Sequence, residues 1–312
     1  MLIDKDLIKK IKNENSDFVI NTAKVTDATK LATLMNRHYK RKFSADYFHW
    51  RYLDKNTRAQ LFVLRKKSDI VGMSGVEKRN LSTGGSVGVT CDVLIDRNFQ
   101  GRGLLVLLEY AMEEYCRSQK MVVMVVFANE KGMKAMIKAG KRRLAGSIAM
   151  LEYDPSDINK LAKNKQLQEY RKQSDLVYFQ SDHSYRYWRF VQNPWYQYNK
   201  IKAGKNKFAY TKLFVEPLYK TNFGDIVYYR CPDNESALRS LFIKSIISFP
   251  PSIKSITTWA LPHTLAYKVC HNLGFRDTDK QAFFCLKVLD SKVNYLYDFE
   301  RWHLLESDSE VY

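Results

Sequence analysis

The chain of 312 residues contains no hydrophobic run long enough to cross a membrane, and it is poor in glycine, proline and cysteine. A membrane-spanning helix needs about 20 consecutive apolar residues, whereas the longest apolar run, Met121 to Ala128, has the length of a strand. The 13 glycines and 7 prolines are too few for a collagen-like or low-complexity chain. The five cysteines form no CxxC pair and have no metal-site spacing, and no apolar signal segment follows Met1. We therefore expect free thiols, no metal and a cytoplasmic protein.

Positive charge and aromatic side chains are abundant. Lys and Arg number 51 against 33 Asp and Glu, a net charge of +18, and aromatic residues make up 13% of the chain. Such an aromatic content excludes a disordered tail protein. The charge is spread along the chain and is compatible with nucleic acid, an anionic membrane surface or a phosphate-rich small molecule as partner. Solvated Lys and Arg faces explain it equally well, so charge alone identifies no ligand.

Strand and helix patterns alternate and predict an α/β (α+β) fold, with mixed twisted sheets flanked by helices. An amphipathic helix pattern begins at Leu104, and a second helix pattern runs from Asn129 to about Gly140. A basic helical stretch follows Pro155 and includes Ile158, Leu161, Leu167 and Tyr170. The predicted strands of the first half are Phe18–Thr22, Gln60–Lys66, Ile70–Lys78, Val87–Ile95, Val122–Phe127 and Arg142–Tyr153.

Two short segments of the first half recur in the second half at nearly the same separation. The aromatic segment around Trp50 and Arg51 resembles the one around Trp188 and Arg189. The segment from Asn129 to Gly140 resembles the one from His263 to Gly274. The repetition predicts a duplicated domain, with boundaries at residues 1–154 and 155–312.

Two glycines lie between a predicted strand and the amphipathic helix. Gly101 and Gly103 lack Cβ atoms, so backbone N–H groups there can approach a ligand closely. The first turn of the following helix adds unpaired N–H groups and the positive end of the helix dipole, which together suit a diphosphate. Val106 breaks the dinucleotide pattern GxGxxG, and no Walker motif is present. A tight turn that binds nothing is the alternative.

The segment Asn98-Phe99-Gln100-Gly101-Arg102-Gly103 resembles the Q/R-x-x-G-x-G/A loop of the GNAT acyl-CoA N-acyltransferases, with Asn98 in place of Gln or Arg. The resemblance implies two tandem GNAT-like domains, with acetyl-CoA bound by residues 1–154. It also implies that residues 155–312 form a degenerate copy that contributes to the acceptor site. The second half has no glycine from Val227 to Ile247, so we expect no second coenzyme A there.

The resemblance also implies which residues bind the cofactor. The loop amides would bind the diphosphate, the preceding strand would pair with the pantetheine arm through its backbone, and Asn129 matches a position that contacts the cofactor. Met136 occupies the position of a tyrosine that protonates the leaving thiolate in many members of the family, and Met has no proton to donate. The expected cofactor-binding residues are Leu94, Ile95, Asn98, Gln100, Gly101, Arg102, Gly103, Leu104 and Asn129.

Asp92, on the strand that would carry the cofactor, is the first candidate for a catalytic base or for a residue that orients the amine. Glu77, on the adjacent predicted strand, is the second candidate. A carboxylate that only bonds a neighbouring Arg or the backbone is the alternative for Asp92. Oxyanion stabilisation would come from N–H groups of the Val93–Ile95 backbone.

The tryptophan–arginine helices, Gln192-Asn193-Pro194 and the C-terminal segment from Trp302 are similar to tandem GNAT-like proteins of bacterial surface-polysaccharide and amino-sugar pathways. This resemblance implies an amine acceptor, either an amino sugar or a nucleotide-linked amino sugar. Trp195 and Trp302 are candidates to stack on a sugar ring. The basic residues from Lys131 to Arg143 would meet a phosphate of the cofactor or of the acceptor, or would form a solvated face.

Two other functions remain open at this point. An aminoacyl-tRNA-dependent transferase of the peptidoglycan-bridge type would use the +18 charge and the duplication, but has no need of a diphosphate loop. A non-catalytic basic binding module would explain the departures from the family pattern at Asn98 and Met136.

Overall fold

A computed structural model describes residues 4–309 except residues 41, 56, 157–169 and 217–220. The chain forms two compact units. The N-terminal unit consists chiefly of Met1–Gly146 and Phe283–Tyr297, and the C-terminal unit of Ser147–Ala282 and Asp298–Glu310. The sequence predicted a division at residue 154. The structure instead divides the chain at Gly146. It also assigns Phe283–Tyr297 to the first unit, so the two units are not contiguous halves of the chain.

The N-terminal unit is built on a mixed sheet. Its strand order is β1-β2-β3-β4-β5, followed by the end of β11. Neighbours from β1 to β4 are antiparallel, β4 and β5 are parallel, and β5 pairs antiparallel with the second part of β11. The strands are β1 (Phe18–Thr22), β2 (Ala59–Lys66), β3 (Asp69–Asn80), β4 (Ser86–Ile95), β5 (Met121–Ala128) and β11 (Arg276–Val288).

The described residues of the N-terminal unit form five α-helices, and α4 is the central one. Apolar residues of α4 recur at helical spacing, so Leu104, Leu107, Leu108 and Met112 are buried in one cluster with Ile8 and Ile11 of α1. The helix α1 was not predicted from the sequence. The helices are α1 (Lys5–Glu14), α2 (Ala28–His38), α3 (Ala45–Phe48), α4 (Leu104–Ser118) and α5 (Glu130–Gly140).

A buried charge network fixes the segment Phe283–Tyr297 within the N-terminal unit. The Lys287 ammonium group donates to the Glu113 carboxylate and, at 3.3 Å, to the carbonyl of Gly140. Glu113 also accepts from Arg117, with 2.7 Å between Nη2 and Oε1. Since Lys287 and Glu113 are both almost fully buried, their mutual neutralisation is required for this segment to pack here.

The C-terminal unit repeats the element order of the first. Three antiparallel strands, β7 to β9, are followed by a helix, by β10 parallel to β9, by a second helix and by β11. The same order runs from β2 to β6 in the first half, which supports the predicted duplication. The elements are β6 (Arg143–Tyr153), α6 (His183–Phe190), β7 (Tyr198–Gly204), β8 (Lys207–Glu216), β9 (Thr221–Arg230), α7 (Glu235–Ile247), β10 (Ser255–Trp259) and α8 (Leu265–Leu273).

Three sequence predictions concern the second half of the chain, and their outcomes differ. The connection from β9 to α7 contains Cys231-Pro232-Asp233-Asn234 and no glycine, so it lacks the main-chain geometry of the loop after β4. Trp302 is wholly buried, which contradicts the hypothesis that it stacks on a sugar. The predicted basic helix with Ile158, Leu161 and Leu167 lies outside the described residues.

Candidate active site

The strands β4 and β5 separate at their carboxyl ends. Their parallel register runs only as far as Thr90, which pairs with Val126. Beyond that point the β3–β4 register shifts, and Asp92 has a positive φ of +50°. Such a β-bulge bends a strand and redirects its side chains. The backbone of β4 after Thr90 is therefore no longer paired with β5, and an edge is left for an extended ligand.

Apolar side chains line this opening between β4 and β5. Val126, Ala128, Met136 and Cys285 form a buried cluster, against which Val93, Leu105 and Met133 pack half-buried. Burial raises the pKa of the Cys285 thiol to about 11, so it remains protonated at neutral pH. Met136 is therefore a buried member of this cluster.

Side-chain hydrogen bonds shape the start of the loop after β4. Oδ1 of Asp96 accepts from the amide of Asn98 at 3.1 Å, and Gln100 Nε2 donates to the carbonyl of Ile95 at 2.9 Å. Oδ2 of Asp96 lies 3.1 Å from Arg37 and 3.6 Å from His38 of α2. These contacts hold the turn that leads to the two glycines.

The two glycines of the loop have different surroundings. Both have positive φ, +82° at Gly101 and +76° at Gly103. A Cβ atom added at Gly101 would meet nothing within 4 Å, whereas one at Gly103 would lie 3.1 Å from the side chain of Ile11. Asn15 Nδ2 also donates to the carbonyl of Arg102 at 3.3 Å. The helix α1 therefore covers the Gly103 side, and open space remains at Gly101.

The loop presents unbonded amides at the start of a long helix. Within the described residues, the N–H groups of Gly101, Arg102 and Gly103 make no hydrogen bond. The helix α4 begins at Leu104 and runs for 15 residues, so its positive dipole end points at this loop. The Arg102 guanidinium lies 5.8 Å from the centre of the Phe99 ring. This arrangement fits an anion such as a diphosphate.

Eight of the nine expected cofactor-binding residues belong to the continuous segment from Leu94 to Leu104, and their contact with a cofactor stays a prediction. The Leu104 side chain is in the core, so only its backbone faces the loop. Asn129 lies at the start of α5, where its Oδ1 accepts from the amide of Gly132 at 2.8 Å and caps the helix. The other role predicted for Asn129, cofactor contact, stays a prediction.

Asp92 is held by two tyrosines that the sequence did not single out. Its Oδ2 accepts hydrogen bonds of 2.6 Å from both Tyr47 and Tyr52, and Arg51 Nε lies 3.6 Å away. The side chain remains 11% exposed, and Oδ1 makes no hydrogen bond within the described residues. Burial and the Asp92 charge raise the pKa of Tyr52 well above its usual value, so this hydroxyl stays a donor.

The two tyrosines reach the same oxygen because the helix that carries them changes its winding. Residues His49–Leu53 form a π-helical turn, in which the Asp54 amide donates to the carbonyl of His49, five residues earlier. Side chains five positions apart, such as Tyr47 and Tyr52, then lie close to one face. Spacing rules for α-helices do not predict this, which is why the pair was missed.

Glu77, the second candidate, is 1% exposed and lies behind Asp92. Its Oε2 accepts from Arg51 Nη2 at 3.0 Å, and its Oε1 lies 3.7 Å from Arg79. Arg51 therefore lies between the two carboxylates that the sequence proposed. Glu77 contacts Arg51 and not the opening, so its effect on Asp92 would pass through Arg51.

Four aromatic rings form a wall from the surface to Asp92; we call it the aromatic wall, and it consists of Tyr39, Phe43, Tyr47 and Trp50. Ring centres are 5.9 Å apart for the first pair, 5.5 Å for the second and 6.0 Å for the third. Tyr39 is 45% exposed, and partial burial together with the Asp92 charge raises its pKa. Aromatic faces of this kind attract cations and the apolar faces of sugar rings.

The basic cluster after β5 has mainly structural contacts. Arg142 is buried and binds Glu109 through Nε at 2.9 Å and Thr90 Oγ1 through Nη2 at 2.7 Å. Lys134 pairs with Glu130 on the exposed face of α5. Arg143 lies over the Tyr297 ring at 4.3 Å. The hypothesis that this whole cluster meets a phosphate is therefore wrong for Arg142.

A basic cavity of about 520 Å³ adjoins the start of the loop after β4. Asn98 and Phe99 belong to its wall, and two carboxylates, Asp69 and Asp96, also line it. Several of its cations have protein partners, for example Lys66 with Asp17 at 3.0 Å. Its cationic lining residues are Lys30, Arg37, Lys66 and Lys67.

The sequence model of the acetyltransferase (GNAT) family matches residues 27–140. Residues 27–140, a little over a third of the chain, are thus similar to a GNAT acetyltransferase domain. The matched range contains the aromatic wall, Asp92 and the loop from Asn98 to Gly103. The prediction of an acetyltransferase-type enzyme is confirmed for this domain. A search of curated proteins finds no match to the chain.

Solved structures share the fold over most of the chain. A GCN5-related N-acetyltransferase from Anabaena variabilis has a TM-score of 0.63 at 12% identity, covering 91% of this chain and 75% of its own. One from Kribbella flavida has a TM-score of 0.58 at 9% identity, covering 88% and 72%. Eis1 from Mycobacterium abscessus has a TM-score of 0.54 at 10% identity, covering 90% and 75%. At such identities the likeness confirms the predicted α/β fold and nothing finer.

No group of His, Cys, Asp and Glu side chains among the described residues is arranged to hold a metal ion. No described helix is both long and apolar enough to span a bilayer.

Proposed function

We propose that the N-terminal unit transfers an acetyl group from acetyl-CoA to a primary amine, and that the amine is carried by an amino sugar. The observation that carries the proposal is the unbonded loop at Gly101, which opens into free space at the start of α4 beside the separated ends of β4 and β5. The amides of Gly101, Arg102 and Gly103 would hold the diphosphate, and the backbone of Leu94 and Ile95 the pantetheine arm.

The cofactor, when bound, supplies an activated acetyl thioester, and the chain's own groups position the amine. A protonated amine is attracted to the Asp92 carboxylate, whose Oδ1 is left over after Oδ2 has accepted from Tyr47 and Tyr52. We assign to Oδ1 the role of taking the amine proton, directly or through water, because a neutral amine is needed for attack. Backbone N–H groups of β4 beyond the bulge would stabilise the oxyanion.

Met136 does not donate a proton, and the buried Cys285 thiol near it has a pKa of about 11. A leaving thiolate with a pKa near 8.5 is a weaker base than the Cys285 thiolate, so Cys285 is a poor acid for it. We propose that the thiolate leaves into solvent without a protein donor.

The outer part of the aromatic wall, Tyr39 and the half-buried Phe43, supports a ring-bearing acceptor, whereas Tyr47 and Trp50 are buried behind it. An amino sugar would place its apolar face on the rings and its amine near Asp92, which uses both kinds of group that the site offers. A nucleotide-linked sugar would add phosphates, for which the basic cavity beside Asn98 and Phe99 is the nearest cationic surface.

The test is turnover with purified full-length chain. Release of free thiol from acetyl-CoA should be stimulated by amino sugars more than by simple alkylamines of the same basicity. Stimulation should be lost in Asp92→Asn and kept in Glu114→Gln, a control carboxylate on the exposed face of α4. Acetyl-CoA binding without turnover on any amine would instead indicate a non-catalytic module.

A further inference from the structure

The C-terminal unit contains a cavity of about 400 Å³ at the carboxyl end of β9. Three chain segments of this unit line it, namely residues 173–182, 228–231 and 303–308. Backbone hydrogen bonds join the first and last of these, since the amide of Val177 donates to Arg301 at 2.6 Å and that of His303 to Val177 at 2.8 Å. The cavity is therefore part of the folded unit, and its volume is typical of a small-molecule site.

The floor of the cavity is aromatic and mostly uncharged. Phe179, Tyr228, Tyr229 and Leu305 are buried there. Burial lowers the pKa of His303 to about 4, so this imidazole is neutral at physiological pH, and its Nε2 lies 3.4 Å from the Tyr229 hydroxyl. Burial also keeps the Tyr229 hydroxyl protonated by raising its pKa.

Planar polar side chains surround this floor. Gln180, Asp182 and Arg230 are exposed at the rim, and the half-buried ring of Tyr178 lies beside them. Asp308 is buried and accepts from the amide of Leu305 at 2.9 Å. The Gln180 amide and the Arg230 guanidinium each offer two hydrogen-bonding atoms in one plane, which matches vicinal hydroxyl groups. Oδ1 of Asp182 already accepts from the Tyr185 amide at 2.6 Å and from Ser184 at 2.8 Å.

The charges of the lining exclude a phosphate-rich ligand. Two carboxylates, Asp182 and Asp308, face one guanidinium, Arg230. The loop that follows β9 contains Pro232, which has no N–H, and Asp233, which repels anions. The diphosphate site of the N-terminal unit thus has no counterpart here.

We propose that this cavity binds a neutral sugar ring. The half-buried ring of Tyr178 can pack on the apolar C–H face of a hexopyranose while Gln180 and Arg230 at the rim bind its hydroxyls. The proposal depends on the C-terminal unit alone and holds whether or not the acetyl-transfer reaction is confirmed.

The test is binding of methyl hexosides and of a neutral oligosaccharide to the full-length chain, by calorimetry and by saturation-transfer NMR. Gln180→Ala and Arg230→Gln remove rim groups that are exposed, so the fold should persist in circular dichroism. We expect each substitution to weaken sugar binding about tenfold or more. Arg276→Gln, an exposed arginine outside the lining, is the matched control and should bind as wild type does.

If the oligosaccharide binds more tightly than the methyl hexosides, the ligand is a sugar unit within a glycan. If both bind equally, the ligand is a free sugar. No saturable binding of any of these sugars would overturn the proposal. Binding that both rim variants leave unchanged would also overturn it, because the sugar would then lie elsewhere.

Discussion

The hydroxyl group of Tyr52 donates a 2.6 Å hydrogen bond to Oδ2 of Asp92 on β4. Asp92 is in the left-handed region at the bulge of β4, and Tyr52 belongs to the π-helical turn. Both elements depart from regular geometry at the point where they meet. Departures of this kind concentrate at functional sites, because the surrounding structure must stabilise them.

Replacement of Asp92 by Asn should abolish most of the acetyl transfer while leaving the fold intact. Asn tolerates positive φ and keeps an oxygen that can accept from Tyr47 and Tyr52, but its side chain cannot take a proton. We expect kcat to fall by about 10² to 10³, as for loss of a general base. The measurement is steady-state kinetics over a range of pH, with acetyl-CoA saturating. A kcat within a factor of about two of wild type would remove Asp92 from the mechanism.

Gly101→Ala should weaken acetyl-CoA binding more than it weakens the fold. An added Cβ meets no protein atom within 4 Å, but it points into the space assigned to the diphosphate and requires φ near +82°. We expect the KM for acetyl-CoA to rise about tenfold and the free energy of unfolding to fall by about 1 kcal/mol. Gly84→Ala is the matched control, since Gly84 has φ of +88° and equally open surroundings away from the loop. An equal rise in KM for both variants would contradict the assignment.

Lys287→Met should destabilise the N-terminal unit, although residue 287 is late in the sequence. The substitution leaves the buried Glu113 carboxylate with Arg117 as its remaining cation. We expect the free energy of unfolding in urea to drop by about 3 kcal/mol, the usual penalty for breaking a buried ion pair. The double variant Glu113→Leu, Lys287→Met should recover part of the loss. A change below about 0.5 kcal/mol would show that this segment contributes little to the unit.

His303 should make the stability of the chain depend on pH between about 4 and 6.5. Burial lowers its pKa from 6.5 to about 4 in the folded state, so in this range the unfolded chain binds the extra proton. The free energy of unfolding therefore falls as the pH is lowered from 6.5 to 4, by about 3 kcal/mol in total. His303→Gln should remove that part of the pH dependence.

Carboxylates also titrate in this pH range. The quantity to compare is therefore the pH dependence of the free energy of unfolding, measured by denaturation of the wild type and of His303→Gln. His183→Gln, at the exposed start of α6, should keep the wild-type slope. A slope that His303→Gln leaves unchanged would show that the imidazole is accessible to protons in the folded state.

Much of the fold was predictable because local patterns and packing agree. The strand Phe18–Thr22 was predicted with its observed bounds, and the helix predicted from Asn129 to Gly140 is α5, with Asn129 as its cap. The apolar spacing after Leu104 also gave α4 correctly. In each case the residue pattern alone indicates which side chains turn toward the protein: Phe18 and Ile20 of β1 are half-buried, and α4 and α5 bury an apolar face.

Other features depend on contacts between residues far apart in sequence, which no local pattern reveals. The pairing of Phe283–Val288 with β5 places Lys287 in the first unit, against any contiguous division of the chain. Ile11 packs over Gly103 because α1 docks on α4, a contact that the sequence does not reveal. The helix α1 itself could have been predicted from its cap, Asp4, and from the spacing of Ile8 and Ile11. The π-helical turn changes the side-chain spacing and so concealed the two tyrosines at Asp92.

The most direct test of the account is a titration of the isotope-labelled full-length chain with coenzyme A, followed through the backbone amide resonances. We expect the amide signals of Gly101, Arg102 and Gly103 to shift and saturate together, since these amides are free to donate to the diphosphate. Saturable binding that leaves these three signals in place, or no binding at all, would contradict it.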